Sequence, residues 1–105
     1  MSYLSQKSIL HLIQNSIAID DFEKQMSRLV STQDNIIFIG DATFQLKPLE
    51  SSIKANNLSV YAIDADLSAR SINHFSKIDN KKIIKIISFE QFVGLSIDSA
   101  KVISW

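Results

Sequence analysis

Three short runs of β-branched and aromatic residues constrain this chain more than any other feature. They are Ile36-Ile37-Phe38-Ile39, Val60-Tyr61-Ala62-Ile63 and Ile83-Ile84-Lys85-Ile86-Ile87. Each is almost continuously apolar rather than alternating. Strands covered on both faces of a parallel sheet read this way, because crossover helices shield each side. A fourth run, Ile9-Leu10-His11-Leu12-Ile13, fits a strand ahead of them, and Lys101-Val102-Ile103-Ser104-Trp105 fits a closing strand.

The segments between these runs carry helical signals. Asp20 and Asp21 are placed to cap a helix bearing Phe22, Met26, Leu29 and Val30 on one face. Phe44 to Ala55 is a second candidate helix, whose start is limited by Pro48. Asp66 is placed to cap Leu67 to Ile72. Ser88 can cap Phe89 to Leu95, with Gln91 completing a capping box. Alternating strands and helices predict right-handed crossovers. The expected fold is a single three-layer α/β/α domain with a mostly parallel sheet of about five strands. At 105 residues there is room for one domain, read as 9–105 behind an N-terminal extension, 1–8.

Charge and composition then narrow the function classes. The 11 basic and 11 acidic residues cancel, so no global field draws nucleic acid or an anionic membrane, and direct nucleic-acid binding is not expected. Cysteine is absent, which excludes disulfides, thiolate metal sites and a persulfide carried on this chain. No apolar run approaches the roughly 20 residues of a membrane span, and Met1 to Ser8 is too polar for a secretion signal; the expected compartment is the cytoplasm.

Ligands of parallel sheets collect at the carboxyl ends of strands. Here those ends carry Gln14-Asn15-Ser16, Gly40-Asp41, Asp64-Ala65-Asp66 and Ser88. Three carboxylates at one edge could hold a cation or tune one another for acid–base work. The ordinary use of such residues is capping for Asp41 and Asp66 and a solvated turn for Asp64. His11 falls inside the first strand, and His74 in a polar stretch. Neither has a partner at metal-ligand or general-base spacing. No Gly-x-Ser-x-Gly elbow and no phosphate-cradling glycine loop occur. Lys81-Lys82 reads as a solvated turn before a strand. Phe38, Phe44, Tyr61, Phe75, Phe89, Phe92 and Trp105 read mostly as core, without the basic interleaving of a base-stacking platform. Val102, Ile103 and Trp105 suggest a tied-down terminus, packed on its own domain or on a partner.

Several of these segments together resemble the TusB/DsrH family. Val60-Tyr61-Ala62-Ile63-Asp64-Ala65-Asp66-Leu67-Ser68-Ala69-Arg70 is similar to the family's third strand, acidic turn and helix start. Ile87-Ser88-Phe89-Glu90-Gln91-Phe92-Val93-Gly94-Leu95, followed by Val102-Ile103-Ser104-Trp105, resembles its last helix and its ending in Trp. Leu10-His11, Asn15-Ser16 and Ile36 to Asp41 resemble its first two strands. The departures are Ile17 where a Pro is usual, Asp41-Ala42 where Asp-Gly is usual, and no cysteine near Gln25 and Met26, where some members carry one in the first helix.

The resemblance implies a DsrE/F/H-like fold and a non-catalytic structural subunit of a TusBCD-type sulfur-relay complex. Its partners would be TusC-like and TusD-like subunits in a hetero-hexamer, with the active cysteine on a partner and a TusE-like sulfur acceptor downstream. Such a complex supports 2-thiouridine formation at the tRNA wobble position. No cofactor is implied. Asp64, Asp66, Arg70 and Trp105 are the expected interface residues. The alternatives are a DsrEFH-type subunit of sulfur oxidation, a receiver-like module, or a stand-alone α/β binding domain. Gln14-Asn15 stands where a receiver would need an acidic pair, which argues against that module.

Overall fold

The computed structural model describes residues 8–15, 17–29, 34–73, 75–78 and 81–105. His74, Val30 and the proposed extension up to Lys7 lie outside the described residues. The elements in chain order are β1 (Ile9–Ile13), α1 (Ile19–Leu29), β2 (Asn35–Phe38), a 3-10 helix (Gly40–Gln45), α2 (Leu46–Ala55), β3 (Ser59–Ile63), α3 (Asp64–Ala69), β4 (Lys77–Ile78), β5 (Lys81–Lys82), β6 (Ile84–Ile87), α4 (Phe89–Asp98) and β7 (Lys101–Ser104).

A five-stranded sheet runs in the order β6-β3-β2-β1-β7, and every pairing in it is parallel. The β-branched runs thus form the parallel strands their composition predicted, mostly buried in β2 and β3 but only partly so in the edge strand β6. Lys81-Lys82, expected as a solvated turn, is instead one strand of a two-stranded antiparallel ribbon with β4. Its side chains remain in solvent.

Handedness decides where the helices lie. From β1 to β2, β3 and β6 the chain steps in one direction across the sheet, and a right-handed crossover places each connection on the same face. The chain then jumps back from β6 to β7 at the opposite edge, so the same handedness sends α4 to the other face. Side-chain packing agrees. His11, Ile13, Ile36, Phe38, Val60, Ala62 and Ile84 point to the face covered by Phe22 and Met26 of α1, Leu46, Leu49 and Ile53 of α2, and Leu67 of α3. Leu10, Ile37 and Ile63 point the other way, toward Phe92 and Leu95 of α4. Three layers are present, but unequal: α4 contains no buried residue.

Local signals account for most helix ends. The capping box of α4 forms as its spacing predicts: Gln91 N–H donates to Ser88 Oγ (3.0 Å), and Ser88 N–H donates to Gln91 Oε1 (2.8 Å). The helix runs one turn beyond the expected Leu95, to Asp98. Asp20 and Asp21 sit in the first turn of α1 rather than at its cap, where their charge still complements the helix dipole. The segment expected as one helix from Phe44 is a 3-10 turn feeding α2. Pro48 falls in the first turn of α2, where a missing N–H costs nothing.

Helices α2 and α3 end alike. Asn57 (φ 53) and Ser71 (φ 53) take the left-handed conformation. Leu58 N–H then donates to Ile53 O (3.0 Å) and Ile72 N–H to Leu67 O (2.9 Å), closing two Schellman motifs. Among the described residues, no helix is long and apolar enough to cross a membrane.

Two outcomes follow in denaturant unfolding. Leu49→Ala, on the closed face, should cost about 2–5 kcal/mol, and Leu95→Ala, only half-buried under α4, clearly less; equal losses would contradict the unequal layers. Ser71→Gly should stabilise by about 1 kcal/mol, since glycine adopts the left-handed conformation without a Cβ penalty.

Candidate functional site

At the carboxyl edge, β2 is followed after Ile39 by Gly40, whose φ of +56 turns the chain into the 3-10 helix. Glycine adopts that angle freely, so the special backbone position lies there and not at Ala42, which is buried. The freed Gly40 N–H donates to Asp66 Oδ2 (3.0 Å). Asp66 was expected as a helix cap, but α3 already begins at Asp64, directly after β3. Its carboxylate therefore serves the neighbouring crossover. Arg70, one helical turn later, completes the arrangement. Its Nε donates to Asp41 Oδ1 (2.9 Å), and its Nη1 donates to the Asp66 carbonyl (3.0 Å) and lies 3.5 Å from Asp66 Oδ1.

Asp41 and Asp66 are thus brought together, but through a guanidinium that neutralises them. Asp64 stays exposed. Among the described residues, no three His, Cys, Asp or Glu side chains converge on a metal-sized space. The Arg70–Asp41 pair is largely solvated on the Asp41 side, so it orients the two turns more than it stabilises them.

A second constellation ties β7 to β1 and to the start of β2. His11, in the middle of β1, is 1% exposed. Its Nε2 lies 2.9 Å from Asp34 Oδ2, while Asp34 Oδ1 accepts the Ile9 N–H (3.2 Å). On the other side, Trp105 Nε1–H donates to His11 Nδ1 (3.1 Å), with the rings 5.7 Å apart and tilted by 57°. An indole nitrogen can only donate, so Nδ1 is the acceptor and the proton of a neutral His11 resides on Nε2, donated to Asp34. The Trp105 backbone N–H donates to Leu12 O (3.0 Å), extending the β1–β7 ladder. The terminal residue is tied to its own domain.

Beside this chain of hydrogen bonds, between α1 and β7, lies an open and mainly apolar cavity of about 520 Å³. His11, Ile13, Ile17, Gln25, Ile103 and Trp105 line it. Gln25 lies in the stretch of the first helix around which some members of the resembling family carry a cysteine; its neighbour Met26 is buried in the core. Both His11 nitrogens are engaged and position 25 is a carboxamide, so among the described residues the lining offers no thiol and no free imidazole.

Sequence reasoning found His11 but not Asp34, because the pair forms only through the β1–β2 register. It also missed Gln45, whose Oε1 accepts the Ile17 N–H (2.7 Å) and holds the chain after β1 against the 3-10 turn.

Trp105→Phe keeps the ring but removes the donor to a buried nitrogen. It should lower stability by about 1–3 kcal/mol and speed amide exchange in β7. Unchanged stability and exchange would mean that the His11 contact does not hold the strand.

A family model described as DsrH like protein matches residues 18–102. No curated protein matches the sequence. The match spans most of the chain, from the start of α1 into β7, and takes in both the acidic edge and Gln25. The chain belongs to the DsrH-like family of sulfur-relay subunits.

Proposed function

We propose that this chain is the non-catalytic, structural subunit of a TusBCD-type relay complex. Its partners would be a TusC-like and a TusD-like subunit, the latter bearing the active cysteine, with a TusE-like protein as sulfur acceptor. The process served is 2-thiouridine formation at the tRNA wobble position, in the cytoplasm; the Ile-, Lys- and Asn-rich composition favours this branch over sulfur oxidation.

The observation carrying this reading is chemical. Persulfide transfer requires a thiolate to attack and a thiol to receive. A chain without cysteine offers neither. The best-placed alternative groups, His11, Asp41 and Asp66, are all engaged within the fold.

What the chain does offer is surface. On α4, Phe89 (62% exposed), Val93 (41%) and Ile97 (72%) follow one another at a spacing of four and form one apolar flank. Val102 on β7 is also exposed. Apolar flanks of this kind mark association surfaces. Partner contacts are proposed here and along the rim formed by Asp64, Asp66, Arg70 and Trp105.

Co-expression of the tagged chain with its genomic neighbours, followed by native mass spectrometry, tests the reading. The expected product is a hexamer with two copies of this chain and a cysteine-bearing partner. Ile97→Glu should dissociate it while leaving the thermal midpoint of the isolated chain unchanged. A monomer or homodimer retaining no neighbour would remove the proposal.

A further inference from the structure

At the amino-terminal rim of β3 and β6 the surface is basic. An open pocket of about 410 Å³ is lined by Lys54, Lys81, Lys82 and Lys85, together with Asn57 and Ser59. Among the described residues, its lining includes no acidic side chain. Among the described residues, none of these four lysines forms an ion pair. Lys85 is held in place by the Tyr61 ring (Nζ 5.2 Å from the centroid) and the Ser59 hydroxyl (3.4 Å).

Like charges gathered in one pocket repel, and nothing within the fold requires them there. The Schellman turn that ends α2 satisfies the helix's last carbonyls, and Lys54 complements the negative end of its dipole. Lys81, Lys82 and Lys85 have no carboxylate within ion-pair distance among the described residues, although Lys82 also borders a separate pocket with Asp64. A formal charge of zero does not reveal this cluster, since Asp41 and Asp66 are gathered around Arg70 at the carboxyl ends of β2 and β3.

From this we infer that the pocket is a binding site for a multiply charged phosphate anion, either a free oligophosphate or the phosphates of a nucleic-acid backbone. The inference is independent of the partner assignment above. Its chemistry favours phosphate over carboxylate. Lysine binds phosphate as a point charge, and four such charges around one pocket suit an anion that carries several charges close together, as an oligophosphate does and a single carboxylate does not. The Asn57 amide and Ser59 hydroxyl add neutral donors at the same rim.

The test is an amide NMR titration of the full-length chain with sodium tripolyphosphate, a short single-stranded RNA and an oligoglutamate, each at matched ionic strength. Saturable shifts confined to residues 54–59 and 81–85 are expected with tripolyphosphate or RNA. Lys81→Gln combined with Lys82→Gln should weaken the binding by about tenfold or more, with a shallower salt dependence. Lys47→Gln, an exposed lysine elsewhere on α2, should leave it unchanged. Tripolyphosphate binding as tightly as RNA identifies a free oligophosphate; RNA binding far tighter identifies a nucleic-acid backbone. Absence of saturable shifts, equal binding of oligoglutamate, or indifference to the double substitution would overturn the inference.

Discussion

The handedness of the β-α-β crossover governs this molecule. Parallel strands cannot be joined by a tight turn, so each connection must climb over the sheet, and it does so in one sense. Three crossovers step away from β1 in the same direction and pile α1, α2 and α3 on one face. A single return crossover is left to cover the other. The deep core and the exposed apolar flank of α4 are two results of one topological rule. The flank is therefore not a local accident of α4: no other crossover is available to cover that face.

Features whose cause is local were legible in the sequence. The strands were visible because β-branched residues pack well on a pleated surface buried on both sides. The Ser88–Gln91 capping box was visible because its bonds span three residues. Pro48 limited the second helix but could not reveal that a 3-10 turn precedes it, since Gly40 to Gln45 also satisfies a loop reading. What stayed hidden depends on register. Asp66 looks like a cap until β3 and the Gly40 turn are side by side, and Asp34 looks like a loop residue until β2 lies against β1. The same holds for Lys54 and Lys82, which share a pocket only in the folded chain. The family resemblance reached further than the physical pattern because it draws on an ordered set of segments rather than on one periodicity.

The chemistry is one of engagement rather than reactivity. A histidine beside a carboxylate and an apolar cavity would ordinarily suggest a catalytic pair. Here the indole of Trp105 occupies the nitrogen that a base would need, and residue 25 on the cavity wall is a carboxamide. At the other constellation, Arg70 occupies the carboxylates that a cation would need. Groups of this kind, fully paired inside the fold, specify a shape and a surface. That is consistent with a relay subunit whose contribution is to hold its neighbours.

The place of β7 has a consequence for how the chain reaches its native state. His11 and Trp105 are 94 positions apart, yet their strands are adjacent. Loop closure over such a separation is slow compared with the local pairings of β1 with β2 and β2 with β3. Until β7 docks, the outer edge of β1 has no partner strand. An unpaired apolar edge is a template for strands of other molecules. By tying β7 down through His11, Trp105 keeps that edge of β1 covered in the native fold.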